Sequence, residues 1–164
     1  MSQFKRLVRF SLGDKVCYGD LVESNGDEHT VERLDGSLFD DLERTGDIVK
    51  TSQLLCPLER TPLIVCIGLN YKKHAQEANL SVPTYPVVFT KPADALAGPA
   101  DVIRTHPDAR PMLDFEGELA IVIGKDAKDV AEENALDYVL GFSASNDVSA
   151  RNFQLPEASG GQFC

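Results

Sequence analysis

The chain has 164 residues, 43% of them hydrophobic, with a formal net charge of −10 and a pI of about 4.7. That charge repels polyanions and no basic cluster offsets it, so DNA and RNA are excluded as partners. No apolar run approaches the roughly 20 residues that a membrane-spanning helix needs, so no membrane association is expected.

Residues 4–10 and 16–23 read as two strands around a turn at Leu12-Gly13-Asp14, and Asn25-Gly26-Asp27 turns the chain into a third strand over 28–34. Residues 38–43 read as helix-like, and 51–55 carry the chain to Cys56-Pro57. Residues 1–57 are therefore predicted to form a small β-rich lobe. His29 within it reads as solvent-facing. Pro57 and Pro62 bound a linker to a second domain over 62–164. The four cysteines Cys17, Cys56, Cys66 and Cys164 show neither a Cys-x-x-Cys pair nor a histidine at zinc spacing, and read as reduced thiols of an intracellular protein. A cytoplasmic location is expected, with the mitochondrion as the alternative.

Beyond Pro62 the apolar run 63–67 reads as a strand ending at Gly68. Asn70 is a suitable N-cap for a helix running to about Asn79, on which His74 and Glu77 share a face. A carboxylate beside an imidazole raises its basicity and orients it, as a general base for water requires; taken alone, the pair also fits an ordinary surface contact. A proline-containing loop over 81–86 precedes a short strand at 86–90, closed by Lys91-Pro92. Another strand is expected over 101–104, with His106 in the turn that follows.

Asp114-Phe115-Glu116-Gly117-Glu118 then runs on into Leu119–Gly124 as a strand. Alternation places Asp114, Glu116 and Glu118 on one face, and Phe115, Leu119, Ile121 and Ile123 on the other, toward a core. Ala120 and Val122 continue the acidic face as an apolar one, so the second half of the strand is expected to be buried on both sides. Neighbouring carboxylates in poor solvent repel one another unless a cation stands between them, and a hard divalent ion, Mg²⁺ or Mn²⁺, suits oxygen donors. Alone, the Glu-x-Glu pattern also fits an edge strand in water. A short helix over 131–138 and a strand over 139–144 deliver Asn146-Asp147-Val148-Ser149-Ala150-Arg151. Asp147 can supply a third metal carboxylate. Arg151 offers a cation suited to bidentate carboxylate binding, or a salt bridge to one of the many acids.

Three spaced motifs coincide: GLNYKKHAQE at 68–77, DFEGEL at 114–119 and NDVSARNFQ at 146–154, with FTKPADAL at 89–96 between the first two. Together they resemble the fumarylacetoacetate hydrolase family over essentially all of residues 62–164. The resemblance implies a mixed, mainly β fold, with a β-sandwich or β-roll catalytic domain preceded by a small β-rich N-terminal lobe, and a homodimer. It implies a Mg²⁺ or Mn²⁺ ion held by Glu116, Glu118 and Asp147, catalysis by His74 with Glu77, and substrate contacts from Arg151, Gln154 and Lys91. Asp114 matches no ligand of the family. The family's catalytic lysine segment would fall a few residues past Cys164, so it is expected to be absent together with about half of the catalytic domain. Many acylpyruvate-cleaving members carry arginine where this chain has Leu69.

A 2-oxo acid chelates a divalent ion through its carboxylate and 2-oxo oxygens, and the ion stabilises the enolate formed when a C–C bond breaks. Hydrolysis of an acylpyruvate- or fumarylpyruvate-type 2,4-dioxo acid is thus the leading expectation. Oxaloacetate decarboxylation or tautomerisation, or isomerisation of a dioxo acid, is the alternative on the same site. A truncated, non-catalytic metal-binding fragment is the alternative of another class.

Overall fold

The computed structural model describes residues 4–77 and 79–160. The thiol expected at Cys164, and the chain end at 161–164, lie outside the described residues. The fold is mainly β, as expected, and divides into two compact units. One comprises the chain up to Gly36 and Leu42–Asp101; the other comprises Ser37–Asp41 and the chain from Val102 onward. No helix among the described residues is long and apolar enough to cross a membrane.

In the first unit, β1 (Leu7–Leu12), β2 (Lys15–Asn25), β3 (Glu28–Gly36), β4 (Leu42–Thr51) and β5 (Leu54–Leu55) form an antiparallel sheet in the order β4-β3-β2-β1-β5. Gly13 and Gly26, both at φ of 60°, turn the first two hairpins in a conformation that suits glycine. Phe10 on β1 and Val31 on β3 are completely buried, and Leu34 and Leu42 nearly so. Gly19 on β2 makes room for them: a Cβ there would lie 2.2 Å from Val31 Cγ1 and 2.8 Å from the Glu32 carbonyl oxygen.

Two expectations fail in this stretch. Residues 38–43 are not helical. A turn over 37–41, rich in Ser and Asp, leads straight into β4, and both Leu38 and Leu42 are buried. The ten-residue β4 is a strand that the sequence reading does not contain. Gly46, at φ of 79°, and a register shift between Glu32 and Leu34 interrupt the alternation that would have marked it.

Asp20 on β2 is 7% exposed and accepts hydrogen bonds from the backbone amides of Lys5 (3.2 Å) and Arg6 (2.7 Å), and from the Arg44 guanidinium. Burial works to raise its carboxyl pKa, but these amides and the guanidinium together hold it below the usual carboxylate range.

Farther along this unit, β6 (Ile64–Gly68) pairs antiparallel with β7 (Val87–Lys91), matching the expected strands. Leu69, at φ of 50°, turns the chain out of β6 toward α1 (Lys72–Glu77). The helix is shorter than the expected span to Asn79, which itself sits in the left-handed region at φ of 59° and ends it.

The second unit carries β8 (Leu113–Asp114), β9 (Gly117–Ile123), β10 (Val139–Asn146), β11 (Ser149–Ala150), and two one-turn helices, α2 (Arg151–Gln154) and α3 (Pro156–Ser159). Residues 132–138 form a 3₁₀ helix where a short helix was expected, whereas 101–104 form no strand. β8 and β9 are separate, so the acidic stretch is interrupted at Phe115-Glu116 rather than continuous. The expected core face is also corrected. Leu119, Ile121 and Ile123 are more than half exposed and Phe115 is 76% exposed, while Glu118, Ala120 and Val122 are half-buried. The reason is that β9 pairs with β10 alone in a two-stranded sheet.

Gly19→Ala is expected to destabilise the chain by about 2 kcal/mol or more in urea titration, because the added methyl would overlap buried Val31 and the Glu32 backbone, neither of which can move aside cheaply. The depressed Asp20 carboxyl contributes stability that is complete above the unfolded carboxylate value of about 3.9 and is lost as pH falls through the lower folded value. Asp20→Asn should therefore be less stable than the parent chain near neutrality, and flatter in thermal stability between about pH 5 and pH 2. An unchanged acid limb would remove Asp20 from that account.

Candidate functional site

Two short pairings set the geometry of the acidic site. β11 pairs antiparallel with β8, placing Ser149 opposite Asp114 and Ala150 opposite Leu113. β10 pairs with β9, placing Asn146 opposite Gly117 and Ser145 opposite Glu118. Between the two ladders lies Glu116. Its amide donates to Asn146 Oδ1 at 3.1 Å, and its carbonyl oxygen accepts from the Asp147 amide at 2.8 Å. The 146–151 segment thus grips Glu116 through the backbone on both sides of the break between β8 and β9.

Side chains complete the grip. Ser149, buried to 8% exposure, donates from Oγ to Glu116 Oε1 at 3.1 Å, and Arg151 donates to the same oxygen from Nη1 at 2.7 Å. Arg151 Nε and Nη2 both donate to Asp114 Oδ2, at 3.1 and 3.0 Å. Nη1 also donates to Gln154 Oε1 at 3.0 Å, one turn along α2. A planar guanidinium with donors on both edges is the side chain that can serve three acceptors in this way. Its bonds to Asp114, helped by the Phe115 amide, hold that carboxyl below its usual pKa. For Arg151 itself burial opposes the charge, but Asp114 and Glu116 outweigh it and raise its pKa.

The structure therefore brings Glu116, Arg151 and Gln154 together, with Asp147 joined to Glu116 through the backbone and Glu118 two residues along the chain, half-buried opposite Ser145. Of the two suggestions for Arg151, the structure shows the salt bridge to acids, Asp114 and Glu116. Asp114, expected on the acidic face but matched to no ligand of the family, and Ser149, given no role by the sequence, both contribute. A usable signal was present, since both lie inside the motifs and a strand pairing between the motifs would set them opposite each other.

Glu116, Glu118 and Asp147 offer oxygen donors of the kind Mg²⁺ and Mn²⁺ take, so the donor chemistry fits such an ion. The side chains are not gathered around one point, however. Among the described residues no group of three or more His, Cys, Asp or Glu stands close enough to hold a metal, and the cation on Glu116 is Arg151.

His74, Glu77 and Lys91 belong to the other unit. His74 and Glu77 lie three positions apart on α1 and both are exposed. No hydrogen bond joins them. Glu77 instead faces Lys73, 3.7 Å away in an exposed pair. Lys91 ends β7, half-buried and opposite Ile64.

Comparison with known proteins gives two matches in chain order. Residues 5–57 match a description given as Rv2993c-like, N-terminal, and residues 63–163 match Fumarylacetoacetate (FAA) hydrolase C-terminal. The chain is 46% identical over 115 residues to a caffeoylpyruvate hydrolase of Neonothopanus nambi, an alignment covering 66% of this chain and 40% of that protein. It is 45% identical over 102 residues to a mitochondrial oxaloacetate tautomerase of Xenopus laevis, covering 62% of this chain and 32% of that one. Among solved structures, a 5-carboxymethyl-2-hydroxymuconate delta-isomerase from Mycobacterium smegmatis superposes with a TM-score of 0.78 at 33% identity, covering 97% of this chain and 60% of that one. The chain thus spans well under two thirds of the length of these relatives.

Proposed function

The chain belongs to the fumarylacetoacetate hydrolase family, and on that premise we propose that it carries the metal and substrate site of a hydrolase cleaving a C–C bond in an acylpyruvate- or fumarylpyruvate-type 2,4-dioxo acid. The observation that carries this reading is Arg151, ordered beside Gln154 and Glu116 at the edge of an acidic cluster. A fixed fork of donors recognises a carboxylate, and hard oxygen donors beside it suit an ion that the same 2-oxo acid can chelate. The 46% identity to a caffeoylpyruvate hydrolase favours an acylpyruvate.

In this reading Glu116, Glu118 and Asp147 hold Mg²⁺ or Mn²⁺, which when bound supplies a Lewis acid for a developing enolate oxygen. Arg151 donates to the substrate carboxylate, and Gln154 and Lys91 donate to its remaining oxygens. His74 accepts a proton from water, whose oxygen bonds to the C4 acyl carbon. The C3–C4 bond then breaks with its electron pair going to C3, and the proton held by His74 is returned there, yielding a carboxylic acid and pyruvate. Glu77 steadies the imidazolium. For this it must leave Lys73, and an exposed pair 3.7 Å apart offers little resistance. The same reading assigns residues 1–57 to an accessory lobe and 62–164 to the catalytic domain, in a homodimer of the cytoplasm or mitochondrion.

A second reading, oxaloacetate tautomerisation or decarboxylation, or isomerisation of a dioxo acid, is favoured by the 45% identity to an oxaloacetate tautomerase and by the structural likeness to an isomerase. Product analysis with Mg²⁺ separates the two. Acid plus pyruvate from an acylpyruvate supports hydrolysis; an isomer alone, or pyruvate with CO₂ from oxaloacetate, rejects it. Metal binding with no turnover of either substrate would leave a metal-binding unit without catalysis.

His74→Ala should leave Mn²⁺ binding intact and reduce hydrolysis by about two to four orders of magnitude, the usual worth of a general base; surviving hydrolysis would mean that another group is the base. Glu116→Ala should abolish Mn²⁺ binding in calorimetry. Unchanged affinity would discard the ligand assignment.

A further inference from the structure

The guanidinium of Arg151 is divided unequally between two carboxylates. Two of its nitrogens sit on Asp114 Oδ2, at 3.1 and 3.0 Å, and one sits on Glu116 Oε1 at 2.7 Å. The nitrogen on Glu116 has a second acceptor in place, Gln154 Oε1 at 3.0 Å. Letting go of Glu116 would thus leave Arg151 anchored to Asp114 and its Nη1 still hydrogen-bonded. Glu116 is equally prepared, because Ser149 Oγ, at 3.1 Å, and the backbone bonds to Asn146 and Asp147 keep it in place without Arg151. The Arg151 and Glu116 side chains are 32% and 29% exposed, so solvent weakens their attraction and the pair can exchange.

We propose that Arg151 is an exchangeable resident cation on Glu116: it holds that carboxylate in the metal-free chain and yields it to a divalent ion, pivoting on Asp114. The proposal rests on the reading of Glu116, Glu118 and Asp147 as metal ligands. It adds a role for Asp114, which positions Arg151, and an order of events. A single positive charge partly offsets the carboxylates until a doubly charged ion takes its place on Glu116. The N–H that Nη1 withdraws from Glu116 can then turn to an incoming carboxylate, while its other N–H stays on Gln154. Ion and 2-oxo acid are thereby coupled, and each should tighten the other because Arg151 cannot serve Glu116 and the substrate with the same donor.

The test is calorimetric titration of Mn²⁺ into the full chain and into Arg151→Gln, with far-UV circular dichroism of both. Removing the competing cation should tighten Mn²⁺ binding about two- to fivefold, the range that a partly exposed ion pair spans. On the unaltered chain, Mg²⁺ titration followed by ¹⁵N NMR should shift the Arg151 Nε–H resonance as the guanidinium moves, which decides the matter even where the variant fails to fold. Equal or weaker Mn²⁺ binding in a folded Arg151→Gln, or an Arg151 resonance unmoved at Mg²⁺ saturation, overturns the exchange while leaving the metal ligands standing. No Mn²⁺ binding to either protein overturns the metal reading itself, and the exchange with it.

Discussion

Carboxylates repel, and Asp114 and Glu116 are held near each other by strand pairing rather than by choice of partner. The β8–β11 ladder fixes Asp114 opposite Ser149, and the end of the β9–β10 ladder fixes Glu116 against Asn146 and Asp147. A cation must then stand between them, or one would be driven toward protonation. Arg151 is that cation, delivered by α2 directly after β11. Strand pairing, charge compensation and the short turn into α2 are therefore one device. Sequence segments about 30 residues apart, DFEGEL and NDVSAR, are complementary because each supplies what the other lacks.

The part of the fold legible in the sequence was the part written in short-range chemistry. The Gly13 and Gly26 turns fix two hairpins, so β1, β2 and β3 were readable to within a few residues. The apolar runs of β6, β7, β9 and β10 were equally plain. β4 was not, because its sequence LERTGDIVKT carries a glycine in a left-handed conformation and no sustained alternation. What makes it a strand is the long edge that β3 offers it, a tertiary fact. The misread helix over 38–43 has the same origin: Leu38 and Leu42 are spaced as on a helix face, and both are buried, but by way of a turn.

At the site the motifs were legible and the arrangement of their side chains was not. Alternation correctly put Glu118, Ala120 and Val122 on one side of β9. Extending that alternation back through Glu116 to Asp114 assumed an unbroken strand, and the break at Phe115-Glu116 undoes it. That break lets the Glu116 backbone bond to Asn146 and Asp147 instead of continuing a ladder. The motifs hold both Asp114 and Ser149, but their register was not legible, for a related reason. It is the register of β8 against β11, two residues each, and nothing local to either sequence fixes so short a pairing.

The relatives named a hydrolase, a tautomerase and an isomerase share the need to stabilise an enolate, and differ in whether water must be activated. In this chain the two requirements stand on unequal footing. Asp114, Glu116 and Arg151 are already paired with one another, and Glu116 with Ser149, and oxygen donors of this kind suit an enolate-stabilising ion in any of those reactions. His74, the base proposed for hydrolysis, is exposed, and its prospective partner Glu77 faces Lys73. On the proposed reading, hydrolysis therefore asks more of this chain than tautomerisation or isomerisation does, because it needs a general base for water in addition to the oxygen-rich cluster.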